Sequence, residues 1–244
     1  MPDLLQRALG LLGAVLALPM VGALAVAVKI DNPGPAMYTA TRVGDRGRLF
    51  RCFKLRTMST RPSAGPAITS ASDPRITRMG RLLRRTHLDE LPQLWNVARG
   101  EMRFVGPRPE DPRFVDMAQP LHRLVFAARP GITGLSQLVN ADEETHIAPG
   151  NPEQTYREEI LPAKLLIDAA YLRRRSAWLD LWILGQTPRA VLGRTVTLPA
   201  SLRAEIESGA GLGAASGNVA DATAAAGIVS AVGAPDGPAE PADA

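Results

Sequence analysis

A chain of 244 residues with 45% hydrophobic residues has room for one domain and a tail, and enough apolar material for a core. One cysteine, Cys52, excludes an internal disulfide, and the scattered His87, His122 and His146 exclude a zinc-type Cys/His grouping. The net charge of +4 understates the body: no Lys or Arg follows Arg203, whereas Glu205, Glu207, Asp221, Asp236, Glu240 and Asp243 all lie beyond it, so the body is basic and suits anionic partners.

From Ala8 to Val28 there is no charged residue, and Arg7 and Lys29 flank the run. As a helix it would measure about 30 Å, one hydrocarbon thickness. Pro19 near its middle removes a backbone donor and kinks such a helix. The residues leave three readings open: a spanning helix, a signal peptide, or a re-entrant helix that enters and leaves on one face. Asn32-Pro33-Gly34-Pro35 breaks the element. Met37 to Val43 and Leu49 to Leu55 then flank the turn sequence Gly44-Asp45-Arg46-Gly47, which predicts a basic hairpin with Cys52 packed in a strand. Residues 59–72 read as a loop.

Asp73-Pro74 reads as a helix start, with Asp as N-cap and Ile76, Met79 and Leu83 on the buried face. A second helix is expected from about Asp89 to Arg99, stopping at Gly100, with Leu91, Leu94 and Trp95 buried. Residues 106–109 and 129–134 read as rigid loops, and residues 157–175 as a helix. Ser176 is expected to cap a helix from Ala177 to Thr187. Trp178, Leu181, Trp182 and Leu184 there suit either a helix in the membrane interface or a core helix. From about Ser208 the composition is that of a disordered segment.

Asp89-Glu90 is an adjacent acidic pair among arginines, a pattern that can hold a divalent ion near phosphate, although Asp89 taken alone reads first as a helix cap. Arg84, Arg85, Arg108 and Arg129 are candidates to grip a diphosphate, because the guanidinium fork matches phosphate oxygens. Arg108 stands between prolines that stiffen its loop. No Gly-rich phosphate loop and no Ser/His/Asp elbow is present, and 5% aromatics is too few for a base-stacking surface, which excludes nucleic acid as the partner.

The run from Asp73 to Val97, DPRITRMGRLLRRTHLDELPQLWNV, together with residues 29–35, Arg42-Val43-Gly44, Phe53-Lys54-Leu55-Arg56-Thr57-Met58, Val105-Gly106-Pro107-Arg108-Pro109, and residues 129–134, resembles the bacterial sugar transferases, the monotopic polyprenyl-phosphate phosphoglycosyl transferases. Asp168, Tyr171, Ser176, Trp178, Leu179 and Asp180 also fit, so the resemblance covers about residues 5–192. It implies an α+β fold: a re-entrant membrane helix over residues 1–35, a catalytic body over 36–207 with a small hairpin and interfacial helices around a basic pocket, and a tail over 208–244. It implies Asp89 and Glu90 as the catalytic pair and as ligands for Mg²⁺ or Mn²⁺. Arg84 and Arg108 become the leading donor-phosphate contacts, with Arg85, Arg129, Lys54 and Arg56 as further substrate-binding candidates.

The expected reaction moves a phosphosugar from a nucleotide sugar, such as a UDP-sugar, to polyprenyl phosphate, releasing nucleoside monophosphate and opening membrane-linked glycan synthesis. Asp89 is the expected nucleophile, with Glu90 on the metal or handling a proton. The place would be the bacterial inner membrane, facing the cytoplasm among membrane lipids, with downstream glycosyltransferases as further partners. A catalytically inactive scaffold and a membrane-anchored exported binding protein are the competing readings; the intact acidic pair and Arg108 argue against the first, the basic body against the second. Three positions depart from the family pattern: Gln6-Arg7 is followed by Gly10 rather than an acid, a Ser-Pro kink appears as Leu18-Pro19, and a Gly-Asp-Met-Ser stretch appears as Gly100-Glu101-Met102-Arg103. They leave the anchoring of the first helix open.

Overall fold

The computed structural model describes residues 2–60, 68–69, 73–139, 151–194 and 196–206. The expected tail from Ser208, most of the expected 59–72 loop, and His146 lie outside the described residues. The first element is α1 (Asp3–Asp31), a single helix with Pro19 inside it. Among the described residues it is the one helix long and apolar enough to cross a membrane. Leu11, Leu12, Val15, Leu16, Leu18 and Met20 along its middle are all exposed.

Both ends of α1 are tied to the same body. At the N-terminal end the Asp3 carboxylate pairs with Arg103 at 2.6 Å and Arg129 at 3.2 Å, and Arg7 donates to the Ala98 carbonyl. Gly10 lets the helix touch its neighbour, since a Cβ there would stand 2.8 Å from the Val97 side chain and 2.9 Å from the Ala98 backbone nitrogen. At the other end Asp31 accepts from the Met79 N–H, and Arg56 donates to Asn32 and the Pro33 carbonyl. The departures from the family pattern thus supply their own anchor, for Arg103 and Gly10 are two of the residues that hold α1.

The hairpin forms as expected: β1 (Met37–Val43) pairs antiparallel with β2 (Leu49–Leu55), Met37 opposite Leu55 and Ala40 opposite Cys52. Cys52 is fully buried. The next helix begins later than its sequence suggests. Residues 76–77 are held extended against 57–58, with Ile76 bridged to Met58 and the Thr77 N–H donating to the Thr57 carbonyl. Asp73 instead folds onto Arg75, so α2 (Arg78–Thr86) starts with Thr77 as its cap, accepting from the Gly80 N–H.

The expected helix from Asp89 is also shorter. His87, in the left-handed region at φ 53°, ends α2, and a 3-10 turn (Leu88–Glu90) follows. Pro92 has no N–H to give, and regular helix resumes as α3 (Gln93–Arg99), closed by Gly100 at φ 78°. The buried face of α3 is Gln93, Asn96 and Val97, while Trp95 is exposed. A polar residue takes the core position because Asn96 is fully bonded: it accepts from Phe53 and donates to the Arg51 carbonyl and to Glu101.

The two glycine-rich loops prove to be one unit. β3 (Arg103–Val105) pairs in parallel with β4 (Gly131–Thr133), so residues 131–133 are strand rather than loop. A Cβ on Gly131 would meet the Gly106 nitrogen at 2.1 Å, which explains why both positions need glycine. Between them lie a 3-10 turn (Pro112–Phe114) and α4 (Pro120–Phe126), where buried His122 accepts from the Asp116 N–H. After β4 comes α5 (Leu135–Val139). The expected 157–175 helix starts earlier, as α6 (Pro152–Thr155), passes through one π-helical turn (Tyr156–Ile160), and continues as α7 (Leu161–Arg173). Ser176 caps α8 (Ala177–Val191), which runs past the expected Thr187 and includes Pro188.

The largest core joins Val105, Leu135, Ile167, Tyr171 and Ile183 with Leu198, Leu202 and Ile206 from the segment after α8, whose residues 200–206 are helical. Trp178 and Leu181 on α8 stay exposed, whereas Trp182 and Leu184 pack against this core.

Candidate active site

Asp89 and Glu90 sit on the 3-10 turn and are both 7% exposed. Such burial of two adjacent acids is costly unless cations face them, and three do. Lys54, from the end of β2, donates to Glu90 Oε1 at 2.7 Å. Arg108, from the loop after β3, donates to the same oxygen at 3.2 Å. Arg84, on α2, donates to the Thr57 hydroxyl at 3.0 Å and adds its charge beside Asp89.

The two carboxyls are driven apart. For Glu90, burial alone would raise the carboxyl, but Lys54 and Arg108 outweigh it and hold it well below the usual carboxylate range. For Asp89, burial dominates and, with the Glu90 charge, pushes it up to about 6 against the pull of Lys54, Arg84 and Arg108. Among the described residues no side chain bonds the Asp89 carboxylate directly. One acid is therefore fixed as an anion by its ion pairs, and its neighbour is left available, an arrangement suited to divided roles.

The fold fixes the cations through local contacts. The Arg108 loop is gripped from below: the Gly131 N–H donates to the Pro107 carbonyl, and buried Asp168 on α7 accepts from the backbone of Arg108 and from Ser136. Burial pushes Asp168 up to about 7. Two residues further, Glu110 is buried and accepts a hydrogen bond from Tyr156, which in turn accepts from Lys164 at 2.8 Å.

Of the residues singled out from sequence, the structure brings Lys54, Arg84, Asp89, Glu90 and Arg108 together. Arg85 is exposed on α2. Arg56 clamps Asn32 and Pro33, and Arg129 pairs with Asp3 and, at 4.0 Å, with Asp45. Thr57, Asn96, Glu110, Tyr156 and Lys164 were not picked out as site residues. Only Glu110 carried a signal, by directly following Pro107-Arg108-Pro109.

The family described as "Bacterial sugar transferase" matches residues 2–194. The UDP-glucose:undecaprenyl-phosphate glucose-1-phosphate transferase of Caulobacter vibrioides is 37% identical over 199 residues, 78% of this chain and 70% of that protein. The undecaprenyl-phosphate glucose phosphotransferase of Komagataeibacter xylinus is 39% identical over 195 residues, 75% of this chain and 35% of that protein. The UDP-N-acetylgalactosamine-undecaprenyl-phosphate N-acetylgalactosaminephosphotransferase of Aeromonas hydrophila is 35% identical over 200 residues, 77% of this chain and 44% of that protein. The chain thus spans less than half the length of the last two. The match runs unbroken through α1, the acidic pair and every residue that faces it, and the chain belongs to the bacterial sugar transferase family.

Proposed function

We infer that this protein transfers a sugar 1-phosphate from a nucleoside diphosphate sugar to polyprenyl phosphate, releasing nucleoside monophosphate and beginning a membrane-linked glycan. The observation that carries the reading is the buried Asp89–Glu90 pair faced by Lys54, Arg84 and Arg108. The names of the similar proteins, each a transferase acting on undecaprenyl phosphate, support it.

The chemistry proceeds in two displacements. The Asp89 carboxylate attacks the phosphorus that bears the sugar; the bond to the nucleotide's phosphate oxygen breaks, and nucleoside monophosphate leaves. A phosphate oxygen of the lipid then attacks the same phosphorus and displaces the Asp89 carboxylate, giving polyprenyl diphosphate sugar. Separating the two encounters lets the same cations serve each phosphate in turn. Arg84 and Arg108 orient the phosphates, and Lys54 holds Glu90 ionised. Asp89 and Glu90 also fit a magnesium or manganese ion. Among the described residues no group of three or more His, Cys, Asp or Glu forms a metal cage, and Mg²⁺ commonly takes one or two carboxylates plus substrate phosphates. Such an ion, when bound, supplies positive charge against the diphosphate.

The docking of α1 supports a one-sided, re-entrant membrane placement. A 29-residue helix is about 44 Å long. A span would carry its ends to opposite faces of about 30 Å of hydrocarbon, yet Asp3 and Asp31 both bond to the one body. Arg7 and Lys29 at the two ends favour the cytoplasmic side of the inner membrane.

The test is to offer the purified chain in lipid a panel of nucleotide sugars, with and without polyprenyl phosphate. Nucleoside monophosphate release and an Asp89 adduct by intact mass are expected from donor alone, both absent from Asp89→Asn and stopped by excess chelator. Release only when the lipid is present, with no adduct, would point to direct transfer; turnover in excess chelator would remove the metal from the reading.

A further inference from the structure

One cavity among the described residues abuts the acidic pair. It measures about 160 Å³ and is bounded by Leu91, Leu94, Leu138 and Val191, with Glu90, Gln137 and the paired Thr133 and Thr187 hydroxyls also in its wall. Most of its lining is apolar. Leu94 also packs beside Gly13 of α1, where a Cβ would lie 3.5 Å from it, so one side chain of the cavity wall reaches the apolar helix. Lys54 and Arg108 bond Glu90, and through it their positive charge stands behind that wall of the cavity.

We propose that this cavity seats the first isoprene unit of the acceptor, the one bonded to the phosphate, and so selects a prenyl phosphate over other phosphates. This rests on the transferase reading above. A cavity near 150 Å³ lined by aliphatic side chains takes a molecule of about benzene's size, and an isoprene unit has five carbons. The neighbouring cations then meet the attached phosphate. The competing occupant is the donor's sugar ring, which fits the volume but carries several hydroxyls, each costly to bury without a partner. Gln137 Oε1, buried and without a partner among the described residues, offers one acceptor; the Thr133 and Thr187 hydroxyls, also in the lining, already bond each other, and Thr187 the Ile183 carbonyl, and most of the remaining surface is apolar.

The test uses the full chain in lipid and separates the two displacements. Dimethylallyl phosphate, one isoprene unit with its phosphate, should compete with polyprenyl phosphate at least about tenfold better than methyl phosphate, since even two buried carbons are worth about that factor. Ala190→Phe, which fills the cavity from α8, should erase that advantage and raise the acceptor KM by about tenfold or more. Adduct formation on Asp89 from donor alone should stay within about twofold of the wild type. Equal potency of the two small phosphates on active wild-type protein overturns the proposal. So does an Ala190→Phe protein that loses adduct formation or changes donor-sugar preference while its acceptor KM is kept, which would assign the cavity to the sugar. A wild type that forms no adduct and releases no nucleotide overturns the transferase reading instead.

Discussion

Replacing Lys54 with methionine should destabilise the protein more at neutral pH than in acid. Glu90 is 8% exposed at its side chain, and Lys54 is its nearer cation, at 2.7 Å against 3.2 Å for Arg108. Removing one partner of a buried ion pair costs about 3–5 kcal/mol because the other charge stays buried. Arg108 remains on the same oxygen, so the loss belongs at the low end, about 3 kcal/mol, or roughly 6–12 °C in Tm for a chain of this size. The pH dependence follows from the direction of the Glu90 shift. Its folded carboxyl is held below the ordinary 4.5, so it contributes stability above that pH and loses it as acid protonates the group. Without Lys54 less charge opposes burial and the carboxyl moves up, so falling pH costs the variant less than the wild type. The gap in Tm should therefore be widest near pH 7.5 and shrink near pH 4.5, measured by thermal unfolding in the same lipid or detergent. A variant within 2 °C of the wild type at pH 7.5 would refute the claim that Lys54 neutralises a buried anion.

Three other outcomes are expected. Adduct formation on Asp89 should be flat above pH 7 and fall through about pH 6, because the raised carboxyl must be ionised to attack; a rate independent of pH down to 4.5 would exclude that shift. Gly10→Val should lower Tm by about 3–10 °C through overpacking against α3, whereas Gly22→Val, where nothing stands within 4 Å of a Cβ, should be neutral; equal effects would separate α1 from α3. Ending the chain after Glu207 should leave activity nearly unchanged, whereas ending it after Leu192 should unfold the body, since Leu198, Leu202 and Ile206 complete the largest core and their burial is worth about 5 kcal/mol; equal stability of the two truncations would contradict that packing.

The hairpin was legible because alternation and a Gly-Asp-Arg-Gly turn report on neighbours in sequence, and its register follows from the turn. Helix starts were less so. The Asp73-Pro74 signal is sound locally, but residues 57–58 claim the backbone at 76–77, and no local rule sees a partner so far along the chain. The same holds for α3, whose buried Asn96 satisfies groups on β2. At the site, charge and type marked Arg84, Asp89, Glu90 and Arg108, and the resemblance added Lys54. Charge and type also marked Arg129, and the resemblance Arg56, because an arginine that braces a helix end looks like one that faces phosphate. The parallel pairing of β3 and β4 rests on backbone crossing at Gly106 and Gly131, which three-residue strands cannot announce by periodicity.

The anchoring of α1 also sets an order for biosynthesis. Asp3 pairs with Arg129, 126 residues further along. At about 5–20 residues per second, the helix, complete at Asp31, waits roughly 5–20 s before that partner exists. Until Val97 and Ala98 are made, about 30 residues before Arg129, the face carrying Arg7 and Gly10 has nothing from the body to rest on, and Arg7 and Lys29 are the cations at hand to keep either end from crossing. The final seating of the first element of the chain is thus a late event in its folding.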